Sequence, residues 1–161
     1  MRLDPITDGE LPALIAQIEV EYARQKVEQG GWPVEEARKA AIEETAESFP
    51  EGRPLPGHEV YLIRDDHEAP DAEPSGLLWV GALQSRPRTF FIYDLLIRPE
   101  ARGRGWGRAA MEFAEQRDSA RNCNVIRLHV FGGNTRALDL YRSMGYEATD
   151  LYLDTPLDPA T

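Results

Sequence analysis

Cysteine is nearly absent from this chain of 161 residues: there is one, Cys123, so no internal disulfide can form. The run Cys123-Asn124-Val125 places no base beside the thiol, and it reads as a small, half-buried residue rather than a nucleophile. Long apolar runs are missing as well. Met1-Arg2-Leu3-Asp4-Pro5 holds no stretch of signal-peptide type, and nowhere do the roughly 18 apolar residues of a membrane span stand together. A cytoplasmic protein with no membrane partner is the expectation. His58, His67 and His129 are scattered without ligand spacing, so no metal is expected. Lysine is scarce, since of 18 Lys and Arg residues only Lys26 and Lys39 are lysines. The formal net charge of −10 argues against nucleic acid as a partner, because a phosphate backbone needs a basic face. As a sign of a cationic substrate it is weaker, since acidic excess commonly just solubilises a surface.

What is present is enough for one domain with its own core. The organising stretch is FFIYDLLIRPEARGRGWG, Phe90 to Gly107. Phe90 to Ile97 is rich in aromatic and β-branched residues, with Asp94 its only acid, and suits a mostly buried strand. Pro99 ends it by offering no N–H to a ladder. Glycines then alternate with arginines from Arg102 to Arg108 and open a helix. Glycine lets backbone approach a ligand closely, and the free N–H groups of the first helical turn point into the same space. With three arginines nearby this is an anion site, most readily for a pyrophosphate. It is not a P-loop, which needs a Lys-Ser/Thr pair where Arg108-Ala109 stands. Nor is it a dinucleotide fingerprint, because the spacing is G-x-G-x-G and falls well away from the first strand.

Taken in order, Arg2 to Ile6 is expected as a first strand, and Thr7-Asp8-Gly9-Glu10 as a capping box with Thr7 at the N-cap and Glu10 reaching back. The helix after it shows Leu11, Leu14, Ile15, Ile18 and Tyr22 on one stripe and stops at Gly30-Gly31. Pro33 suits the first turn of a second, charged surface helix running to about Phe49, with a thin stripe of Ala37, Ala41, Ile42 and Thr45. Pro50 to Gly57 is a loop. His58–Arg64 and Leu77–Leu83 read as strands around an acidic turn, Asp65 to Ser75, that has no core residues. Ser85-Arg86-Pro87-Arg88 turns into the organising strand, and a helix runs from Trp106 to Arg121. Val125–Phe131 is the next strand, Asn134–Met144 a helix and Glu147–Leu153 a last strand by its alternation. The order β-α-α-β-β-β-α-β-α-β is mixed α/β with an antiparallel meander in the middle.

Arg102, Gly105 and Gly107 fill the Q/R-x-x-G-x-G/A pattern, between a strand and a helix, of the GNAT superfamily of N-acetyltransferases. Asn134, Ala137, Leu140, Tyr141, Gly145 and Tyr146 resemble that family's second pattern, N-x-x-A-x-x-L-Y-x-x-x-G-[FY]. Capping alone accounts for Asn134 as an N-cap and Gly145 as a left-handed helix end. It does not account for the tyrosine, nor for two patterns in the family's order. The resemblance covers roughly Ile92 to Leu153, and the runs FIYD and LHVF within it also look like a small uncharacterised bacterial branch of that superfamily.

This resemblance implies a central mixed sheet with splayed parallel strands and about four flanking helices, a single domain over 1–161. Residues 1–60 would supply the acceptor-site helices and 90–153 the acetyl-CoA core. Acetyl-CoA is implied as cosubstrate, and an amine, small or on a peptide, as acceptor. Backbone of Leu95, Leu96 and Ile97 would hold the pantetheine arm, and Gly103, Arg104, Gly105, Trp106 and Gly107 the pyrophosphate. Arg102, Arg104 or Arg108 would add a salt link, bidentate where geometry allows. Asn134 would contact the cosubstrate and Tyr141 would protonate the departing thiolate. An alkyl amine with pKa about 10.4 leaves roughly one molecule in 2500 neutral at pH 7, so a base helps. Asp94 is the candidate because an acid inside an apolar strand would have its pKa raised by burial. Tyr93, on the opposite face unless a bulge intervenes, is the other choice, with His129 as a relay. The first helices carry Glu19, Glu21, Glu28, Tyr22, Lys26, Gln29 and Trp32, so a cationic acceptor is expected. A non-catalytic acyl-CoA sensor is the alternative, though a binder has no use for Tyr141. Whether a homodimer completes the site is left open.

Overall fold

Alternate side chains along each strand face opposite ways, and here the two faces sort into two cores. A computed structural model describes residues 1–86, 88–120, 123–155 and 157, with side chains described throughout except at 118–120. Among them β1 (Arg2–Pro5), β2 (Glu59–Arg64), β3 (Gly76–Ala82), β4 (Thr89–Ile97) and β5 (Val125–Leu128) form one sheet in chain order. Every pairing is antiparallel except β4 with β5, which is parallel. Helices α1 (Leu11–Glu28) and α2 (Val34–Ser48) precede β2, while α3 (Trp106–Ala120) makes the crossover from β4 to β5 and α4 (Thr135–Ser143) follows.

Val60, Leu62, Leu77 and Trp79 pack with Leu11, Leu14 and Ile18 of α1 and with Phe49. Their neighbours Tyr61, Ile63, Leu78 and Val80 pack on the other face with Ala110, Met111 and Ala114 of α3. In β4 the alternation breaks once. The register passes from Trp79↔Asp94 to Val80↔Ile92, so Tyr93 is the extra residue of a β-bulge. Phe90 and Ile92 lie on the α3 face before it, and Leu95 and Ile97 on that face after it. Tyr93 and Leu96 belong to the α1 face. Asp94, between Tyr93 and Leu95, is thereby turned to the α1 side and lines the cavity described below.

Five expectations from sequence are corrected. Glu10 does reach back, its carboxylate accepting the Thr7 N–H at 2.9 Å, but the Thr7 hydroxyl is spent on that carboxylate and Glu10 itself is the N-cap. Pro33 is the N-cap of α2, outside its first turn. Ile42 is 43 % exposed because Ala37, Ala41 and Thr45 already fill the narrow contact of α2. The acidic turn is anchored at both ends by buried Asp65 and Ser75. The last strand does not form: no residue of 146–155 joins a ladder, and Leu151, Tyr152 and Leu153 are 78 %, 92 % and 91 % exposed. Alternation only permits a strand, and pairing decides it. The expected helix end at Arg121 and Pro87 of the turn before β4 lie outside the described residues. Among the described residues no helix is long and apolar enough to cross a membrane.

Candidate active site

The ladder between the two parallel strands ends at Ile92↔Leu128, yet β4 continues to Ile97 while β5 stops at Leu128. The sheet therefore opens a gap at this point. It is shorter on the β5 side than the sequence suggested, because the chain leaves the ladder three residues before Phe131. A cavity of about 340 Å³ lies there, walled by Tyr22 and Lys26 from α1, Glu44 from α2, Asp94 from β4, His129 after β5 and Tyr141 from α4.

Asp94 is pushed up to about 7, first by removal from water and then by the charge of Glu21, while the backbone N–H of Leu95 works the other way by stabilising the anion. Tyr141 is pushed up to about 12 by burial and then by the Asp94 charge. Tyr22 is raised too, by burial first and Asp94 second. Both tyrosines thus feel the Asp94 charge from separate helices. Tyr93 also lines the cavity, and its ring stacks on Trp79 with centroids 4.8 Å apart.

The glycine-arginine loop follows β4 and leads into α3, and none of its residues lines the cavity. Gly103 and Gly105 both adopt φ of +78°, where a side chain would be strained, and no atom lies within 4 Å of where either Cβ would be. The first helical bond of α3 runs from the Ala109 N–H to the Gly105 carbonyl, so the N–H groups of Trp106, Gly107 and Arg108 have no partner within the helix. Gly107 has a second reason to be small, since its Cβ would meet Leu140 of α4 at 3.2 Å. The three arginines are tethered: Arg102 to the Ile97 carbonyl, Arg104 to Asp65 and over the Trp106 ring, Arg108 to the Ser143 hydroxyl. Leu96 directs its carbonyl at β3, where a Cβ on Gly76 would fall 2.2 Å from it. Strand alternation then turns the peptide groups of Leu95 and Ile97 toward the open edge. Asn134 lines the cavity and caps α4, its side chain accepting from the Ala137 N–H at 3.2 Å.

A loop of left-handed glycines, a bare helix N-terminus and a strand edge open beside it fit a ligand with a pyrophosphate and an extended amide arm. Sequence reasoning missed Glu44, Ser48 and Trp79 in the wall. Glu44 carries a signal only once α1 and α2 are known to be packed together, because it pairs with Lys26 across 2.9 Å. The acids on α1 are less free than expected: Glu21 and Glu28 both engage Arg24. Among the described residues no group of three His, Cys, Asp or Glu could hold a metal ion.

Comparison with known proteins gives the family to which this arrangement belongs. A profile described as Acetyltransferase (GNAT) family matches residues 15–146, and the chain belongs to that family. It is 26 % identical over 156 residues to the Bacillus subtilis uncharacterized N-acetyltransferase YycN, covering 96 % of this chain and 97 % of that one. The YycN crystal structure superposes with a TM-score of 0.85 over 98 % of this chain and 99 % of that one. A second Bacillus subtilis protein, the uncharacterized N-acetyltransferase YdgE, is 28 % identical over 92 % of this chain and 93 % of its own. The fold is shared with aminoglycoside N-acetyltransferase AAC(6')-Iy in complex with CoA, at 12 % identity and a TM-score of 0.59 over 97 % and 93 % of the two chains. Family and relatives support acetyltransferase activity, with acetyl-CoA as the family's general cosubstrate.

Proposed function

We propose that this protein transfers an acetyl group from acetyl-CoA to a primary amine by direct attack, with Asp94 as general base and Tyr141 as general acid. Residues 1–60 form the acceptor side and 90–153 the cosubstrate side. One observation carries the reading: Asp94 and Tyr141 are coupled electrostatically inside one cavity at the gap between β4 and β5. When bound, acetyl-CoA supplies an activated thioester carbonyl. The N–H groups of Gly103 to Arg108 hold its pyrophosphate, supported by the positive charge of Arg102, Arg104 and Arg108. Peptide groups of Leu95 and Ile97, with Asn134, receive the amide arm, whereas Leu96, expected to share in this, is turned to β3; an N–H at the open edge polarises the carbonyl.

Asp94 takes a proton from the ammonium form of the acceptor, and the freed amine attacks the carbonyl carbon. As the C–N bond forms and the C–S bond breaks, the Tyr141 hydroxyl gives its proton to the leaving sulfur. The two residues assist each other. At about 7 Asp94 is a far better match to an amine than an ordinary aspartate at 3.8. Once it is protonated, one of the two causes that raise Tyr141 is gone, and the tyrosine becomes a stronger acid just when a proton is needed.

We assign a small amine that arrives as a cation, free or on a peptide. Asp94, with Glu21 behind it, attracts an ammonium group, and aromatic rings line the approach. Among the described residues the lysine on the wall, Lys26, is already paired with Glu44 and offers little to an anion. The test is CoA release at fixed acetyl-CoA over a panel of monoamines, polyamines, aminoglycosides, basic peptides and acidic amino acids. Turnover of cationic amines is expected. Preference for acidic acceptors would overturn the acceptor assignment, and acetyl-CoA binding without turnover on any amine would return the protein to a sensor role.

A further inference from the structure

A β-bulge leaves the peptide groups of its extra residue without ladder partners, so it persists only where something else engages them. The bulge at Tyr93 is engaged from two sides. From α1, the Tyr22 hydroxyl donates to the Tyr93 carbonyl at 3.1 Å. On the sheet, the Tyr93 ring lies on Trp79 and 4.6 Å from the His58 ring, and its hydroxyl donates to the Ala82 carbonyl at 3.1 Å. His58 is itself held, because its Nδ1 accepts the Trp79 Nε1–H at 3.2 Å. An acceptor at Nδ1 requires the neutral ring with its proton on Nε2. Burial favours that neutral form, while the Ala82 carbonyl works weakly the other way. The ring occupies space that only glycine leaves free, since a Cβ on Gly81 would fall 2.4 Å from His58 Cδ2.

The bulge also decides where Asp94 points. Without the extra residue, alternation from Phe90 and Ile92 would send Asp94 to the α3 face, among Met111 and Ala110. We propose that Tyr22 and His58 are positioning residues that hold the Tyr93 bulge and so keep the Asp94 carboxyl turned into the acceptor cavity. This rests on the reading of Asp94 as the base, but it concerns the placement of that carboxyl and is tested separately from its catalytic use.

The probe is the carboxyl carbon of Asp94 itself, followed by NMR in aspartate-labelled protein and assigned by its absence in Asp94→Asn. The charged and titratable groups around it are Glu21 and Tyr22 from α1, Tyr93 on its own strand and Tyr141 from α4, with Lys26, Glu44 and His129 elsewhere on the wall. Tyr22→Phe alters no charge at neutral pH. It leaves the Tyr93 carbonyl to recruit water beside Asp94, and hydration lowers a carboxyl pKa. The expected titration is near about 7 in the parent protein, falling by about one unit or more in Tyr22→Phe and in His58→Leu. Calorimetric affinity for CoA, held chiefly by its pyrophosphate at the glycine loop outside this cavity, is expected to stay within about twofold. An Asp94 titration unmoved in Tyr22→Phe overturns the proposal, whether or not His58→Leu folds. If the titration moves while Asp94→Asn keeps full turnover, the positioning role stands and the base assignment falls.

Discussion

Asp94→Asn is expected to stabilise the folded protein, and increasingly so as pH rises. A carboxyl whose folded pKa lies above its unfolded value favours folding fully only below the unfolded pKa, and that contribution is lost as pH rises through the folded pKa. Here the two values are about 7 and 3.8. The separation is about three units, each worth about 1.4 kcal/mol, so ionising Asp94 in place opposes folding by about 4 kcal/mol above pH 7. At pH 5 the unfolded carboxyl is already ionised while the folded one is not, and the penalty is about 2 kcal/mol. Asparagine has nearly the same shape and no charge. Urea unfolding of both proteins at pH 5, 6, 7 and 8 would therefore show Asp94→Asn gaining about 2 kcal/mol on the parent between the ends of the series, with most of the rise before pH 7. A difference independent of pH would refute the buried-carboxyl argument. A variant less stable at pH 8 would show instead that the anion is held by favourable partners. The same variant should lose the acid limb of the rate profile.

Two further outcomes concern the other halves of the site. Tyr141→Phe keeps the ring and loses the proton, so acetyl-CoA affinity should persist while turnover falls by roughly 10²–10⁴; unchanged turnover would leave Tyr141 as a packing residue. Gly105→Glu places an unfavourable φ and a negative charge at the anion site, and should abolish the thermal shift that acetyl-CoA produces; a retained shift would remove the loop from the binding site.

The run from β4 through α3 and β5 into α4 was legible because each part is specified by neighbours in sequence. An apolar strand, a proline stop, left-handed glycines and a helical stripe all act within a few residues. Gly145, expected as a left-handed helix end, has φ of +90°. Asp94 stood out as the only acid of an apolar strand and Tyr141 only through the family pattern, and the fold brings both to the cavity wall. The bulge was foreseen only as a condition on Tyr93, and nothing local announces it. It depends on Trp79 across the ladder, Tyr22 from α1 and His58 from β2's approach, which the chain brings together over 71 residues in one case and 21 in another. The last strand failed for the opposite reason: its alternation is complete, but no partner is fixed by local pattern.

Packing separates the two sides of this site. Among the described residues the buried core ends at Ala114, and α4 contributes no fully buried side chain although Tyr141, Met144 and Tyr146 pack partly against the α3-side cluster. Asp94, the proposed base, therefore stands on the better packed side, on a strand paired with β3 from Phe90 to Ile97 except at the Tyr93 bulge and braced from α1. Tyr141, the proposed acid, stands on the side with fewer buried contacts, where local opening requires less free energy. A ligand that bridges the gap by binding the α3 N-terminus and the open edge of β4 would stabilise that second side by mass action and bring Tyr141 to a fixed distance from Asp94.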